Sequence, residues 1–493
     1  MKNTDIGLPE ALYCTEQIKA IEQFVIQHNI ISGLMLMERA GQTVFEYIQR
    51  SHRMAKKIAI FCGSGNNGGD GYIIATLALQ AGLNVCVYSV TDTAILQGDA
   101  LTAYQQFIKV GGFVMPFQVD VVLDNTDFLI DALFGTGLSR IVTGKYKQAI
   151  HTINQSNIPV ISVDVPSGLN ADTGDIMGCA VEADATITFI GLKQGLFTGF
   201  AVQHVGEIVY ASLNLPNAAW QTISSSIMRV MPKSLPPRPR YAHKSNFGHV
   251  LVIGGDVGYS GAVRLTGMAA LRIGAGLVSI ATHPENAVSM NVAYPELMCH
   301  GIASPEELLP LFEKASVIVI GTGLGQRDWG KSLFATALNS DKPMIVDADG
   351  LNFLVQLPQK KVNWILTPHV GEAARLLSST IKEIQTNRFD AVQSLQQQYG
   401  GVVILKGAGT LVASENTIAI SNTGNPGMAS GGMGDVLAGV IAGLVAQGLP
   451  LEEAAQQGSY GHGWAADEAV KYDGERGLCA SDLLPYLRKW INS

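Results

Sequence analysis

The chain runs through the same strand–helix grammar twice, on either side of a stretch that neither a helix nor a central strand accepts. Four prolines (Pro232, Pro236, Pro237 and Pro239) crowd between Met231 and Asn246. Proline lacks the amide hydrogen that helices and ladders use, and its ring fixes φ. Before this segment Lys57–Cys62, Asn84–Val90, Phe128–Asp131, Pro159–Asp164, Ala185–Phe189 and Glu207–Tyr210 read as strands. Residues 72–81 read as the helix between the first two, and 15–47 as a helical lead-in. After it His249–Ile253, Leu277–Ala281, Val317–Ile320, Met344–Val346, Trp364–Leu366 and Val402–Leu405 read as strands. Helices fit residues 262–273 and 436–445, and residues 410–413 and 417–421 suit a small hairpin. Continuous apolar strands alternating with helices imply parallel sheets covered on both faces. The expected fold class is therefore α/β, with two domains over residues 1–220 and 225–493 and a linker at about 231–246; 493 residues exceed one core. Ligands of such sheets bind beyond the carboxyl ends of the strands.

Among the loops expected there, Asn425 to Gly439 is the most demanding. It places Gly427, Gly431, Gly432, Gly434 and Gly439 around one carboxylate, Asp435, at the start of an apolar helical run. Glycines let backbone amides approach a ligand, and a helix N-terminus adds aligned donors, so phosphate is the natural guest. An acid placed there repels an anion unless it takes the proton from a hydroxyl that attacks a phosphoryl group. The alternative is a glycine-rich turn capped by aspartate, which needs fewer glycines. No P-loop signature is present. Lys406-Gly-Ala-Gly-Thr410 ends one strand and begins the next, as a turn that lays backbone against an adenine nucleotide with Lys406 near the phosphates. Gly254–Gly261, Gly321–Gly325, Asp347–Asn352 and Thr367–Glu372 follow other strands. A lone histidine such as His369 is more often structural, but its place at a strand end favours a functional role.

The first half carries Gly63-Ser-Gly-Asn-Asn-Gly-Gly-Asp-Gly71 after its first strand. Gly63, Gly65 and Gly68 satisfy the dinucleotide pattern, and Asp92 lies about where a ribose-binding acid belongs. Asn66, Asn67 and Asp70 exceed what a pyrophosphate loop needs and suit a cation or a ribose. Asp131 and Asp164 both finish apolar strands, so both are expected at one rim, near Ser167 and Gly135–Arg140. Oxygen donors without histidine or cysteine suggest a hard cation, not zinc. Helix capping by each aspartate is the alternative.

Composition narrows the partners. A net charge of −8 without a basic cluster argues against a general nucleic-acid binder. No apolar stretch is long enough to span a membrane, and no secretory signal is visible at the start. Six cysteines scattered at 14, 62, 86, 179, 299 and 479, without metal spacing, fit a reducing cytoplasm. Self-association to a homo-oligomer is left open.

Three blocks of the first half, residues 63–71, 131–140 and 163–169, together resemble the NAD(P)H-hydrate epimerase domain over roughly residues 10–215. The resemblance implies a Rossmann-like three-layer αβα domain that binds a hydrated nicotinamide nucleotide. It implies substrate contacts from Asn66, Asn67, Gly68, Gly69 and Asp70 and from Gly135, Thr136, Gly137, Leu138, Ser139 and Arg140. It implies a potassium ion on Asn67, Asp131 and Ser167, and Asp164 at the substrate as the acid–base group.

From about residue 225 onward, Lys406–Thr410, Asp347–Asn352, Thr367–Glu372 and Asn425–Gly439 resemble the ADP- or ATP-dependent NAD(P)H-hydrate dehydratases of the ribokinase-like superfamily. Ser245 and Tyr259 depart from that pattern, outside the chemistry. The resemblance implies that Gly261, Gly323, His369 and Asp435 meet the hydrate. Lys406, Gly407, Ala408, Gly409, Thr410 and Gly434 would meet ADP or ATP, which Mg²⁺ accompanies. Asp435 would deprotonate the C6 hydroxyl of NADHX or NADPHX, the hydrated forms, so that phosphorylation turns hydroxide into a good leaving group. Rival readings are a ribokinase-like small-molecule kinase fused to a nucleotide-, protein- or RNA-binding module, and a dehydrogenase resting on the Gly63 loop alone.

Overall fold

The computed structural model describes residues 7–493 apart from Thr222, Asn291 and Ala293; the first six residues of the expected first domain lie outside the described residues. The chain divides into two compact units between Ile227 and Met228.

In the first unit seven strands form one sheet: β1 (Lys57–Cys62), β2 (Asn84–Ser89), β3 (Val114–Pro116), β4 (Phe128–Ala132), β5 (Val160–Val163), β6 (Ala185–Phe189) and β7 (Glu207–Ala211). Their spatial order is β3-β2-β1-β4-β5-β6-β7, and every neighbouring pair is parallel. The winding direction reverses between β1 and β4, which opens a crevice at their carboxyl ends. Successive residues of β1 serve opposite layers: Ile58, Ile60 and Cys62 pack in one core, Ala59 and Phe61 in the other. A slip of one residue would exchange the layers.

The helical lead-in is two helices, Thr15–Gln27 and Gly33–Ser51. The second is capped by Ser32, whose hydroxyl accepts from the Met35 amide at 3.2 Å. The helix expected from Tyr72 starts earlier and spans Asn66–Gln80. Most of its early glycines therefore do not form a loop. A Cβ on Gly68 would come within 2.1 Å of the Gly63 carbonyl oxygen, and one on Gly71 within 2.8 Å of Ala132 and Cys62 side chains. Glycine there lets the helix start lie directly on β1 and β4.

The second unit repeats the winding. Its strands are β8 (His249–Ile253), β9 (Leu277–Thr282), β10 (Met298–Gly301), β11 (Val317–Ile320), β12 (Met344–Val346), β13 (Trp364–Leu366) and β14 (Val402–Leu405). They lie in the order β10-β9-β8-β11-β12-β13-β14, all parallel. An antiparallel hairpin, β15 (Thr410–Ala413) and β16 (Ile418–Ser421), extends this sheet beyond β14.

The helix Met433–Ala446 packs on the helix Ser260–Ile273 at very short range. A Cβ on Gly439 would come within 2.1 Å of the Thr266 carbonyl oxygen, and one on Gly443 within 2.1 Å of Ile273.

The proline-rich stretch is packed on the second unit instead of hanging free. The Lys233 amide donates to Gln457 Oε1 at 2.9 Å, and Gln457 Nε2 donates to the Met231 carbonyl at 2.8 Å. Arg238 lies 3.6 Å over the Phe247 ring. Proline forbids a regular ladder but not packing, and side chains satisfy the remaining main-chain groups. Among the described residues no helix is long and apolar enough to cross a membrane.

Candidate active sites of the two units

The crevice between β1 and β4 is a cavity of about 480 Å³. Of the residues expected at the substrate, Asn66, Asn67, Asp70, Gly135, Thr136, Gly137, Leu138 and Asp164 line it. Gly68 and Gly69 do not; they pack against Gly63 and against Met37 and Ala100. Ser139 and Arg140 are exposed and outside its lining. Asp92 caps the turn Thr93–Ile95, accepting from the Ala94 amide at 2.9 Å, and is not at the cavity.

Asp131 and Asp164 both stand at the carboxyl ends of the neighbouring strands β4 and β5, but only Asp164 lines the cavity. Asp131 is fully buried, and its carboxylate accepts four hydrogen bonds: from Ser162 Oγ (2.8 Å), the Ser167 amide (2.8 Å), Ser167 Oγ (2.5 Å) and the Leu133 amide (3.3 Å). Burial still raises its pKa from the ordinary value, against the pull of those donors. Asp164 follows β5 in the left-handed region, with φ 68°, and its side chain reaches the cavity. Backbone strain of this kind collects at functional sites.

Lys193 was missed by sequence reasoning. It follows β6 closely, is 1% exposed, and its ammonium pairs with Asp164 while donating to Thr188 Oγ1 (3.1 Å) and the Phe189 carbonyl (2.8 Å). The one available signal is a lysine inside the otherwise uncharged run 185–197. Glu22, also unforeseen, lines the cavity beside Asp70. Burial, then the nearby charges of Asp164 and Glu22, push Asp70 well above the usual range; burial and Asp164 likewise raise Glu22. The cavity thus gathers four acids, Glu22, Asp70, Asp99 and Asp164, with Lys19 and the buried Lys193.

In the second unit Asp435 stands in the first turn of Met433–Ala446, whose N-cap is Gly432 at φ 91°. Burial, reinforced by Asp347 and Asp349 and opposed by Lys406, pushes its pKa up to about 7. Asp347 follows β12 and is 2% exposed, accepting from Thr367 Oγ1 at 2.7 Å and from Lys406 Nζ at 2.9 Å. Burial alone would lower the Lys406 pKa, but Asp347, Glu372 and Asp435 carry it above the ordinary value.

The five glycines of the Asn425–Gly439 segment have different jobs. Gly434 leaves room for the Asp347–Lys406 pair, since a Cβ would come within 3.3 Å of both. Gly439 serves helix packing, Gly427 crowds the Glu475 carbonyl (2.6 Å from a Cβ), and Gly431 faces open space. Only Gly431, Gly432 and Gly434 lie where their amides could serve an anion.

The turn Lys406–Thr410 rests on Arg388, another residue the sequence did not flag. The buried guanidinium donates to the carbonyls of Leu405 (3.1 Å), Lys406 (3.4 Å) and Gly409 (3.5 Å). Gly261 opens a helix and faces empty space, whereas Gly323 packs against Tyr259 and Ala262. His369 caps the helix Val370–Leu376: its Nδ1 accepts from the Gly371 amide at 2.9 Å, and Glu372 returns to the His369 amide at 2.8 Å. Its side chain is 55% exposed, so capping leaves it accessible to a ligand. Ser245 contacts His243 at 2.7 Å, and Tyr259 is exposed.

Two family models match the chain: "YjeF-related protein N-terminus" over residues 33–195 and "NAD(P)H-hydrate dehydratase" over residues 250–489. The chain is 44% identical over 98% of its length to the bifunctional NAD(P)H-hydrate repair enzyme Nnr of Coxiella burnetii, covering 99% of that protein. It is 40% identical to the enzyme of the same name from Escherichia coli over 100% of this chain and 96% of that one. The ADP/ATP-dependent NAD(P)H-hydrate dehydratase of Bacillus subtilis, co-crystallised with ATP and Mg²⁺, is 27% identical, covering 52% of this chain and 93% of its own at a TM-score of 0.47. With full-length identity at this level and one family model on each unit, the chain belongs to the family of bifunctional NAD(P)H-hydrate repair enzymes.

Proposed function

We infer that the chain repairs hydrated nicotinamide nucleotides. It interconverts the R and S forms of NADHX and NADPHX, and it dehydrates the S form to NADH or NADPH while consuming ADP or ATP. We assign epimerisation to the first unit and dehydration to the second. The observation that carries this reading is Asp435: a carboxylate held near neutrality, in the first turn of a helix behind a glycine-rich loop, beside the Asp347–Lys406 pair.

A base with a pKa of about 7 divides its population between the form that accepts a proton and the form that has one. Asp435 takes the C6 hydroxyl proton, and the oxygen attacks the terminal phosphoryl group of ADP or ATP. The new P–O bond forms as the bond to the departing nucleotide breaks, leaving AMP or ADP. The ring nitrogen lone pair then expels phosphate from C6, and loss of the C5 proton restores the dihydronicotinamide. Amides of Gly431, Gly432 and Gly434 at the helix N-terminus oppose the phosphoryl charge. Lys406, Gly407, Ala408, Gly409 and Thr410 form the nucleotide turn; Gly261, Gly323 and His369 complete the hydrate side. Mg²⁺ bound with the nucleotide would shield its phosphates.

In the first unit Asp164 moves a proton at the C6 hydroxyl, within reach of Asn66, Asn67, Asp70 and Gly135–Leu138. Potassium suits the set Asn67, Asp131 and Ser167. All offer oxygen, and the buried Asp131 carboxylate has no ion-pair partner among the described residues. Bound there, it would neutralise that charge. Six unpaired cysteines support a cytoplasmic setting, and small molecules rather than nucleic acid or membranes are the inferred partners.

The test uses purified protein with Mg²⁺, K⁺ and an equilibrated mixture of R and S NADHX, with ADP and ATP in separate reactions. Recovery of dihydronicotinamide absorbance in the near ultraviolet, complete and faster than spontaneous epimerisation allows, is the expected result. No recovery with either nucleotide overturns the reading.

A further inference from the structure

The two carboxylate oxygens of Asp164 have different surroundings. Oδ1 takes the Lys193 ammonium and accepts from Thr188 Oγ1 and the Phe189 amide at 3.3 Å each. Oδ2 faces Gly135, where a Cβ would come within 3.5 Å of it; no donor to it is found among the described residues. Lys193 is committed in turn. Its three donors meet Asp164, Thr188 Oγ1 and the Phe189 carbonyl, so its ammonium cannot swing toward a ligand without losing partners. The Asp164 backbone is held as well: its amide donates to the Ile187 carbonyl at 2.8 Å, although φ is 68°.

The charges facing Asp164 make this pairing consequential. Asp70 approaches from the helix Asn66–Gln80 and Glu22 from the helix Thr15–Gln27; Lys19 and Asp99 line the same cavity. Lys193 is the buried cation in direct contact with Asp164.

We propose that Lys193 is the positioning residue of the first active site: it fixes Asp164 through Oδ1 and reserves Oδ2 to exchange a proton with the C6 hydroxyl of the hydrate. This rests on the assignment of epimerisation to the first unit. When the ring opens, the O–H electron pair becomes the C6=O bond. The C6–N1 pair moves onto the ring nitrogen, conjugated with the carboxamide, and Oδ2 holds the proton. Reclosure on the other face reverses each transfer, so nothing is consumed.

The experiment follows nucleotide-free conversion of purified S-NADHX to the R form by the full chain. Lys193→Gln should lower kcat about 100-fold, the scale of one misplaced acid–base group, while KM for the hydrate stays within about threefold. Lys193→Ala should regain part of that loss when methylammonium is added. A Lys193→Gln variant with the parent kcat, or with only KM raised, overturns the proposal. Loss of hydrate binding in both variants without amine rescue also overturns it and assigns Lys193 to folding. Asp164→Asn separates the two levels. If it epimerises at the parent rate, the reading of the site itself falls, whatever Lys193 does.

Discussion

Both units wind these seven strands in the same order, and in both the fifth strand is followed by a carboxylate paired with a lysine, buried in the first unit and half-buried in the second. After β5 it is Asp164 with Lys193; after β12 it is Asp347 with Lys406. The fates of these pairs differ. Asp164 keeps one oxygen toward a cavity, so the pair itself is the proposed reactive centre. Asp347 is enclosed by Thr367, Lys406 and the Gly434 backbone, and the proposed reacting acid comes from the helix after the added hairpin. Burial, reinforced by the Asp347 charge, carries the Asp435 pKa to about 7 against the pull of Lys406, which is paired with Asp347. One winding thus places a lysine-paired carboxylate after the fifth strand of each unit, although the lysine follows the sixth strand in the first unit and the seventh in the second. What later elements bring to it decides whether it reacts or supports.

The sharpest way to break this comparison is Asp435→Asn. Dehydration of S-NADHX with ADP or ATP should fall about 10³-fold, while nucleotide-free epimerisation stays at the parent rate. If epimerisation falls equally, the two centres are not independent. Asp164→Asn is the mirror experiment: epimerisation should drop about 100-fold, and dehydration of pure S form should not change. Asparagine tolerates positive φ, so the backbone at 164 should survive the exchange.

The scaffold can be tested separately from the chemistry. Gly439→Ala should destabilise the second unit by about 2 kcal/mol in denaturant unfolding, since its Cβ meets a carbonyl oxygen at 2.1 Å. Gly431→Ala, which faces open space, should stay within about 0.5 kcal/mol.

The effect of pH is smaller and has a definite sign. Asp435 must be ionised to act, so the dehydration rate should rise with pH and level off above about 7. Lys406 favours the ionised form, so Lys406→Met should move that midpoint upward. The same group costs stability in the opposite sense. Its folded pKa lies above the ordinary 3.8, so the native state holds an extra proton between 3.8 and about 7, and stability falls as pH rises through that window. Asp435→Asn should therefore be more stable than the parent above neutral pH, by about 1 kcal/mol in the same unfolding assay.

The strands were legible because near-continuous apolar runs such as Val317–Ile320 and Val402–Leu405 have few other uses. Asp435 was legible because glycine spacing and a lone acid before an apolar helix form a local pattern. Other glycines misled: Gly68 and Gly439 look like ligand-loop residues, yet they permit close contact with segments distant or turned back in space. The start of Asn66–Gln80 was misplaced for the same reason. Glycine disfavours helices intrinsically, but tight packing on β1 and β4 overrides the propensity. Arg388 and Glu22 carried no local signature, and Lys193 only its charge in an uncharged run, because the groups they face, Leu405, Asp70 and Asp164, come from other segments.

Periodicity, proline and glycine therefore determined by themselves the α/β class and the two-part organisation and singled out Asp435, whereas Asp164 as an acid–base group was implied only by the resemblance of the blocks around it. The class, the organisation and Asp435 are written in neighbouring residues, where sterics and hydrogen bonding act over a few bonds. The tertiary structure decided which oxygen of Asp164 is free, that Asp131 is buried beneath the cavity, and that Asp435 is held near neutrality. Burial and charge depend on which remote segments meet, and no local pattern contains that distance.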